Sequence, residues 1–296
     1  MPKGAMKLRP DLAGTALEPY KARIRWRDTT NYAAAVLDDN PVYFDDTRSE
    51  GIIAHPCFPF SVTWPVISRL GEFVPSNTFP EEILMTQVHY TEHLKITRLI
   101  RPDDQLTLSG VLAAILPHRS GTHAVIKIDA ADHAGQPVFT EYIGAMLRGV
   151  ECGNEKIAVQ LPQIPDNPAD GAFIWQVDVY VTPLAPYIYD GCSNIEFPIH
   201  TSPGFAKSVG LPGIVLQGSA AMAYAVREIV NREADGNPRR VRAFSGKFTG
   251  MIMPGANIRI CCTGRNQRKK QTDIFFDVIN TENQKAIRSG HVTINR

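Results

Sequence analysis

Hydrophobic and polar positions follow the same order twice along the chain. Each half contains an apolar segment with helical character, Phe58–Leu70 in the first half and Ser219–Arg232 in the second. Segments in which apolar and polar positions alternate, as in strands with one buried face, come after each helix. These predicted strands are Gln87–Tyr90, Gln105–Leu116, Thr122–Ala130, Val138–Leu147, Arg240–Phe248, Asn257–Thr263, Thr272–Asn280 and Ala286–Ile294. The repeated order predicts a duplicated domain.

Each half is predicted to be one apolar helix followed by an antiparallel sheet. A sheet with one apolar face needs that helix as a cover, so the pattern favours an α+β fold with helix-wrapped sheets. Two such sheets can pair along their edges, which removes exposed strand edges. Pro65 lies inside the first helix and is expected to kink or shorten it.

Proline and glycine positions divide the chain into four parts. We expect residues 1–20 to form an arm, 21–150 the first domain, 151–170 a linker and 171–296 the second domain. The linker is predicted from its prolines and its lack of periodicity. At the start of the first domain, Arg23–Trp26 is predicted as a strand, and Asn31–Leu37 as a helix capped within Asp28–Thr30.

Composition and charge are those of an ordinary globular protein. Of the 296 residues, 44% are hydrophobic and 21% charged, and the net charge of +1 gives no reason to expect nucleic acid or an anionic membrane surface as a partner. No apolar stretch approaches the ~20 residues that span a bilayer. The five cysteines show no metal-binding spacing and are expected to be reduced. Together with the lack of a signal sequence, they predict a cytoplasmic protein without a metal site.

One short motif occurs in both halves. It is Asn40-Pro41-Val42-Tyr43 in the first half and Phe197-Pro198-Ile199-His200 in the second. An apolar run and a turn that opens the helix follow each copy. A histidine can accept a proton near neutral pH, and a helix N-terminus offers unpaired N–H donors. His200 and the helix start at Gly218 are therefore the candidate chemical centre.

These motifs resemble those of MaoC-like enzymes, the (R)-specific enoyl-thioester hydratases and 3-hydroxyacyl-thioester dehydratases. The first half is similar to their dehydratase-like half through Leu37–Asp45 and Gly51–Pro56, and the second is similar to the MaoC half through Pro198–Thr201 and Gly210–Gly218. The resemblance implies a tandem, or double, hotdog fold and a hydro-lyase. It also implies an Asp/His acid–base pair and a thioester oxygen held by N–H groups at the helix start, here Gly218 and Ser219.

The chain departs from the family motif Gly-Asp-x-Asn-Pro-x-His in the second half. His200 and the proline are present, but Phe197 holds the Asn position and Ile195 the Asp position. Gln217 stands where many relatives have histidine. We expect Glu196 or Asn194 to assist His200, and Gln217 and Phe197 to contribute to the substrate pocket. The non-functional alternatives are that Glu196 is a solvated carboxylate and that Asn194 is a turn residue.

The first half shows the opposite loss. Asp38 and Asn40 are in register with the motif, but Tyr43 holds the His position, and Pro56 has no N–H to donate at the helix start. A degenerate site at Asp38, Asn40 and Tyr43, with a structural role, is the favoured interpretation.

Three functions stay open. The first is a dehydratase or hydratase acting on a 3-hydroxyacyl or 2-enoyl thioester of coenzyme A or a carrier protein. The second is isomerisation or another elimination on an unsaturated acyl or carbonyl compound. The third is a non-catalytic acyl-thioester-binding or structural partner subunit. The sequence leaves the acyl chain, the carrier and the direction of reaction undetermined.

Expectations for partners follow from the same resemblance. We expect a small acyl thioester as substrate, no metal or redox cofactor, no nucleic acid and no membrane span, with a homodimer as the assembly and an acyl carrier protein as an alternative partner. Phe58, Phe60 and Trp64 suggest a bulky acyl tunnel in the first half, or simply core. We expect the basic run Arg265–Lys270 to be a solvated turn. The alternative is that it contacts the phosphates of coenzyme A.

Overall fold

The structure, a computed structural model, describes residues 6–75, 79–84, 86–167 and 173–296. Seven α-helices occur among the described residues: α1 Trp26–Ala35, α2 Pro59–Ser68, α3 Leu70–Phe73, α4 Glu81–Leu84, α5 Ala185–Ser193, α6 Pro203–Ser208 and α7 Gly218–Glu233. Short 3₁₀ turns lie at Pro10–Leu12, Pro41–Tyr43, Pro198–His200 and Pro238–Arg240.

Thirteen strands are found in the same described ranges. They are β1 Met6–Lys7, β2 Ala16–Arg23, β3 Gln87–Ile96, β4 Gln105–His118, β5 Gly121–Asp132, β6 Pro137–Arg148, β7 Val150–Glu151, β8 Ile157–Ala158, β9 Trp175–Val181, β10 Val241–Phe248, β11 Ala256–Gln267, β12 Gln271–Ile279 and β13 Lys285–Asn295. The eight strands predicted from alternation are therefore present, most of them longer than their periodicity indicated. The ninth predicted strand, Arg23–Trp26, is wrong, because β2 ends at Arg23 and helix α1 begins at Trp26.

The sheet order confirms the duplication. The main path runs β2-β4-β5-β6-β3-β10-β13-β12-β11-β9. Read outward from the central pair β3–β10, the strands of the two halves follow the same order. At the centre, β3 and β10 pair antiparallel, with Leu94 opposite Phe244 and Glu92 opposite Gly246. The two half-sheets thus form one continuous sheet. This is the tandem hotdog arrangement, an α+β fold.

Each half-sheet is covered by its own helix, but the two covers differ in length. Helix α7 has 16 residues, and ten of them are buried. It packs closely on the sheet: a Cβ at Gly246 would lie 2.7 Å from Met222 Cε. Helix α2 has only 10 residues, contains Pro65 and ends at Ser68. The helix of the first half is shorter, as expected from Pro65, and this leaves room between α2 and its sheet.

Buried polar contacts also join the halves. The Arg227 guanidinium on α7 donates to the carbonyl oxygens of Val36 and Leu37 at 2.7 and 3.1 Å, at the end of α1. The amide of Asn40 donates to the Gly236 carbonyl at 2.6 Å. The hydroxyls of Tyr32 and Tyr189 lie 3.1 Å apart in the core. These contacts cross the pseudo-symmetric interface away from the central strands.

The structure corrects the expectations for the N-terminal segment. Residues 16–20, expected in the arm, belong to edge strand β2, which pairs with β4. Helix α1 begins at Trp26 rather than Asn31, because Asp28 at its third position accepts the backbone N–H of Arg25 and forms a capping box. The sequence analysis did not predict strand β2, because its exposed edge position allows polar residues on both faces and the alternation is lost. Residues 1–5 lie outside the described residues.

The second half begins with a strand that the sequence analysis did not predict, although its apolar and polar residues alternate. Strand β9, the counterpart of β2, pairs with β11 at the far edge of the sheet. Within the expected linker, the short strand β8 pairs with β4, and the amide of Asn167 donates to the Thr263 hydroxyl at 2.9 Å. The start assigned to the second domain, residues 171–172, and the end of the linker, residues 168–170 with Pro168, lie outside the described residues.

Candidate active site

The repeated motif of the second half forms a 3₁₀ turn that presents His200. Phe197 is extended and Pro198 fixes the start of the turn, as its locked φ favours. His200 Nδ1 lies 2.8 Å from the Val215 carbonyl oxygen. Since a carbonyl can only accept, Nδ1 carries the proton and Nε2 keeps its lone pair. The contact therefore holds the imidazole in the tautomer that a base requires.

Burial sets the charge of this imidazole. It lowers the pKa of His200 to about 4, although the hydrogen bond to Val215 acts in the opposite direction. The ring is therefore neutral at neutral pH and available to accept a proton at Nε2.

The second element of the site is the start of α7. Gln217 is the N-cap, and the Ala221 N–H donates to its carbonyl at 3.2 Å, which leaves the N–H groups of the first turn, including Gly218 and Ser219, without helical acceptors. A Cβ at Gly218 would lie 3.0 Å from the ring of Phe248, so a larger residue would crowd this point. The helix mouth thus offers N–H donors and the positive end of the helix dipole.

One cavity of about 1490 Å³ joins these two elements. His200, Gln217, Gly218, Ser219 and Phe197, all predicted for the site, line it. The Gln217 side chain is 1% exposed, donates from Nε2 to the Pro186 carbonyl at 3.0 Å and leaves Oε1 without a partner in the described part of the chain. An unpartnered acceptor in the cavity can orient a water molecule or a substrate hydroxyl.

The two expected helpers of His200 lie outside this lining. Asn194 is exposed, has φ of 56° and is the C-cap of α5, where its N–H donates to the Asp190 carbonyl at 3.0 Å. Glu196 is exposed. The pKa of Asp190 is raised first by the burial of Asp190 itself and second by the charge of Glu196. Ile195, at the motif's Asp position, is buried and faces the cavity. Their roles as helpers stay predictions, and the described geometry gives them no contact with the cavity.

The cavity extends under the first half. Phe60, Thr63, Trp64 and Ile67 on α2 form one wall, so Phe60 and Trp64 do contribute to a tunnel, whereas Phe58 is core. At the rim, Arg119, Arg148 and Arg288 are exposed. The sequence analysis missed these arginines because they are far apart in sequence and line one cavity only in the folded chain. In the basic run considered instead, Arg265 pairs with Glu233 and Arg268 with Asp273, each at 2.6 Å.

The degenerate motif of the first half is sealed. Asp38 and Tyr43 are 3% and 0% exposed, and the Asn40 side chain accepts the Val42 N–H at 3.2 Å, as a turn residue does. None of these three lines the large cavity. The structural role favoured from the sequence agrees with this burial.

A histidine that the sequence analysis overlooked completes this sealed cluster. His55 Nε2 lies 3.5 Å from Asp38 Oδ2, and Nδ1 accepts the Cys57 N–H at 3.1 Å. Burial lowers the pKa of His55 to about 3 and raises that of Asp38 to about 6. The signal was available, since His55 precedes the first-half helix as Gln217 precedes α7. Asp38 and His55 therefore lie close together in the first half, but without a hydrogen bond between them and outside the lining of the cavity.

A second overlooked group lies on the tunnel wall. His89 and Glu141 line the cavity, and His89 Nε2 lies 3.1 Å from Oε2 of Glu92. Among the described residues, no group of three or more His, Cys, Asp or Glu side chains is placed to hold a metal ion. In the same part of the chain, no helix is long and apolar enough to cross a membrane.

Comparison with known proteins agrees with this geometry. Residues 171–285 match the MaoC like domain, and residues 11–141 match the FAS1-like, dehydratase domain region. Peroxisomal multifunctional enzyme type 2 of Drosophila melanogaster is 24% identical over 208 residues, or 69% of this chain and 33% of that protein. Fatty acid synthase subunit beta of Aspergillus oryzae is 34% identical over 193 residues, or 63% of this chain and 8% of that protein.

The chain thus spans a third or less of these two relatives. Among solved structures, a MaoC-like dehydratase from Phytophthora capsici superposes with a TM-score of 0.75 at 20% identity, covering 95% of this chain and 96% of that one. This likeness shows the shared fold over nearly the whole chain. The chain thus carries a region that matches the FAS1-like dehydratase region, followed by one that matches the MaoC like domain, in the fold of double-hotdog MaoC-like proteins.

Proposed function

We propose that the protein is a hydro-lyase that adds water to a 2-enoyl thioester or removes it from a 3-hydroxyacyl thioester. The observation that carries the proposal is the arrangement of His200, whose Nδ1 is held by Val215 and whose ring shares a cavity with the N–H groups at the start of α7. The matching MaoC like domain supports it. So does enoyl-CoA hydratase 2 of Arabidopsis thaliana, 33% identical over 61 residues, which are 21% of this chain and 20% of that protein.

Each step of the hydration uses one of these groups. His200 Nε2 takes a proton from water while the water oxygen bonds to C3 of the enoyl group, and the C2–C3 π electrons move toward the thioester oxygen. The N–H groups of Gly218 and Ser219 stabilise that oxygen as its charge grows. The imidazolium then returns the proton to C2, and dehydration is the reverse.

The replacement of the motif carboxylate by Ile195 makes His200 the main proton carrier. Gln217 Oε1, unpartnered in the described part of the chain, supplies the hydrogen bond that orients the water. No metal or redox cofactor enters this scheme.

The test is a panel of enoyl thioesters of increasing length, followed by loss of the conjugated enoyl absorbance. The wild type is expected to hydrate at least one of them, and His200→Ala to lower kcat/KM by about 10²–10⁴-fold with the fold intact. The matched control is His133→Ala, since His133 is an exposed turn residue outside the cavity. Binding without turnover, unaffected by His200→Ala, would identify a non-catalytic acyl-binding subunit instead.

Isomerisation is the second candidate, and Ile195 favours it. Moving a double bond along an acyl thioester needs one base and a stabilised oxygen, but no water held by a carboxylate. A 3-enoyl thioester would then be converted to the 2-enoyl form, seen as a gain of conjugated absorbance. If 2-enoyl thioesters are inert and this gain depends on His200, isomerisation replaces hydration.

The rim of the cavity supports a phosphate-bearing carrier. Arg119, Arg148 and Arg288 are exposed there and would face the phosphates of coenzyme A or of a carrier-protein arm. A comparison of coenzyme A thioesters with carrier-protein thioesters of the same acyl chain decides between the two.

Assembly and location are further proposals. Leu184, Tyr187 and Ile188 are 62%, 41% and 44% exposed around the start of α5, and this apolar patch would be covered in a homodimer. Sedimentation of the wild type and of Ile188→Glu tests it, because the charge would shift the protein toward monomer. The five cysteines are free, which supports a reducing compartment such as the cytoplasm.

A further inference from the structure

The tunnel under the first-half helix has an acidic wall that the proposed chemistry leaves unused. Glu141 on β6 is 0% exposed and lines the cavity, facing α2 beside Thr63. Among the side chains that line the cavity in the described part of the protein, it is the one carboxylic acid. A tunnel for a plain acyl chain needs only apolar walls.

Neither oxygen of Glu141 has a hydrogen-bond partner among the described residues. The neighbouring hydroxyl of Thr63 donates to the Pro59 carbonyl at 3.1 Å, and its interaction with Glu141 lowers the pKa of that carboxyl by less than burial raises it. An unpartnered buried polar group destabilises the fold considerably, so such groups are rare unless they serve a ligand. The side chain is therefore placed to bind a polar group that enters the cavity.

A second buried acid supports the same wall. Glu92 on β3 is 1% exposed and lies diagonally from Glu141, which is opposite Leu94 in the β3–β6 pairing. Its Oε2 holds His89 Nε2 at 3.1 Å, and its Oε1 has no partner in the described residues. Burial, and after it the neighbouring Glu141, raises the pKa of Glu92. Thr63, His89 and Glu141 thus present polar groups in the wall of the cavity, where apolar residues such as Phe60, Ile67 and Ile143 also lie.

These polar groups begin near the reacting end and lead away from it. The His89 ring packs on Phe248 with centroids 4.3 Å apart, and Phe248 lies beside Gly218. Glu141 is opposite Leu94 on β3, and Leu94 is opposite Phe244 on β10. Phe244 precedes Phe248 by four residues on that strand, which is roughly 13 Å at the usual rise per residue. Glu141 is thus too far away to act on the thioester, and at a distance where the tail of an acyl chain would lie.

We propose that Glu141, with Thr63 and the His89–Glu92 pair, forms a subsite for a hydroxyl group carried on the tail of the acyl chain. A hydroxyl suits these groups because it can donate to a carboxylate and accept from a protonated carboxyl. This substrate class rests on the proposed function only in taking an acyl thioester as the ligand.

Binding of unreactive, saturated thioesters tests the proposal without turnover. Calorimetric titration compares octanoyl- and dodecanoyl-coenzyme A with their ω-hydroxy analogues. The wild type is expected to bind one of the hydroxylated chains about tenfold or more tightly than its plain counterpart, because that chain satisfies the buried carboxyl. Equal or weaker binding of the hydroxylated chains at both lengths overturns the proposal.

Variants of Glu141 separate its hydrogen bonding from its volume. Glu141→Gln is expected to keep most of the preference, and Glu141→Leu to abolish it while tightening binding of the plain chain, since a well-packed apolar residue replaces a buried polar one. Glu228→Gln is the matched control, as Glu228 on α7 lies outside the cavity and pairs with Arg227. A preference that survives in Glu141→Leu also overturns the assignment.

The enoyl-thioester assay keeps the two proposals apart. If no thioester is turned over but the hydroxyl preference appears in binding, the subsite stands and the hydro-lyase proposal fails. If plain chains are hydrated and the hydroxyl gives no preference, the subsite alone fails.

Discussion

Single residues determine which of the two motif copies can reach substrate. Both copies retain part of an acid–base pair, Asp38 with His55 in the first half and His200 in the second. Burial separates their roles. The first pair is sealed at 3% exposure or less, whereas His200 shares a cavity with the start of α7. The ability to react therefore depends on access as much as on residue type.

The pH dependence of the reaction tests the role of His200. Burial lowers its pKa to about 4, and a general base works only when unprotonated. Activity should therefore be lost as the pH falls through about 4, rather than near the ordinary histidine value of about 6.5. The measurement is kcat/KM for the best thioester against pH, with stability checked at each acidic point. An acidic limb near 6.5 would contradict the assignment.

The buried carboxyl of Glu141 makes a separate prediction about stability. Burial raises its pKa from the ordinary 4.5 to about 7 in the folded protein. The folded state thus binds more protons than the unfolded state between these values, so the carboxyl's contribution is most favourable below 4.5 and is lost as the pH rises through about 7. In Glu141→Gln, which cannot ionise, the free energy of unfolding should fall less between about pH 5 and about pH 8.

Urea unfolding of both proteins at the two pH values gives this difference, expected to be a few kcal/mol at most. The buried histidines have lowered pKa values and act in the opposite direction, but they are common to both proteins and drop out of the comparison. Equal pH dependence in wild type and variant would show that Glu141 is ionised to the same extent in the folded and unfolded chains.

At the scale of elements, the two helices that cover the half-sheets have different tasks. Helix α7 covers its half-sheet and begins at the cavity with free N–H groups, while the shorter α2 leaves the tunnel open. Under the proposed function, the same duplicated element supplies the donors for the thioester oxygen in one half and a wall for the acyl chain in the other. Pro65 and the early end of α2 are the sequence differences that separate them.

The start of α7 is tested by filling the space at Gly218. In Gly218→Ala the new methyl would lie 3.0 Å from Phe248, so either the ring or the helix start must shift. We expect kcat/KM to fall about tenfold or more, since donors at the oxygen site lose alignment. Gly204→Ala in α6 is the control. No neighbouring atom lies within 4 Å of the position that its methyl would take, and the substitution should raise stability by about 0.4–1 kcal/mol with activity unchanged.

At the scale of the whole molecule, the halves form one cooperative unit. The β3–β10 pairing makes the sheet continuous, and Arg227, Asn40 and the Tyr32–Tyr189 contact link the halves around it. Separation would expose two central strand edges and remove the acceptors of the partly buried Arg227 guanidinium. The cavity also takes walls from both halves, so neither half alone would form it.

Calorimetry tests this unity. The chain should unfold in one transition whose calorimetric enthalpy equals its van't Hoff enthalpy, and saturation with a thioester should raise its midpoint as a whole. Two resolved transitions, of which the ligand shifts only one, would show that the halves are independent and that the ligand contacts only one of them.

The sequence by itself determined the features that depend on neighbouring positions. Helix and strand periodicity, the duplicated order, and the placement of His200 and Gly218 before and at a helix start are local patterns, and the structure agrees with them. The edge strand β2 was missed because an exposed edge needs no alternation, whereas β9 was missed although its apolar and polar residues alternate. The early start of α1 was missed because its cap is an aspartate inside the first turn.

Tertiary structure alone decided which side chains meet. Glu92 and Glu141 come from segments whose spacing in sequence carries no signal of contact, and strand register brings them together. The three rim arginines also come from distant segments and line one cavity. Tertiary structure also decided access, by sealing one motif and opening the other. Local preferences act over a few residues, whereas burial and pairing depend on how distant strands and helices pack, and that is why the polar wall of the tunnel could not be foreseen from the chain.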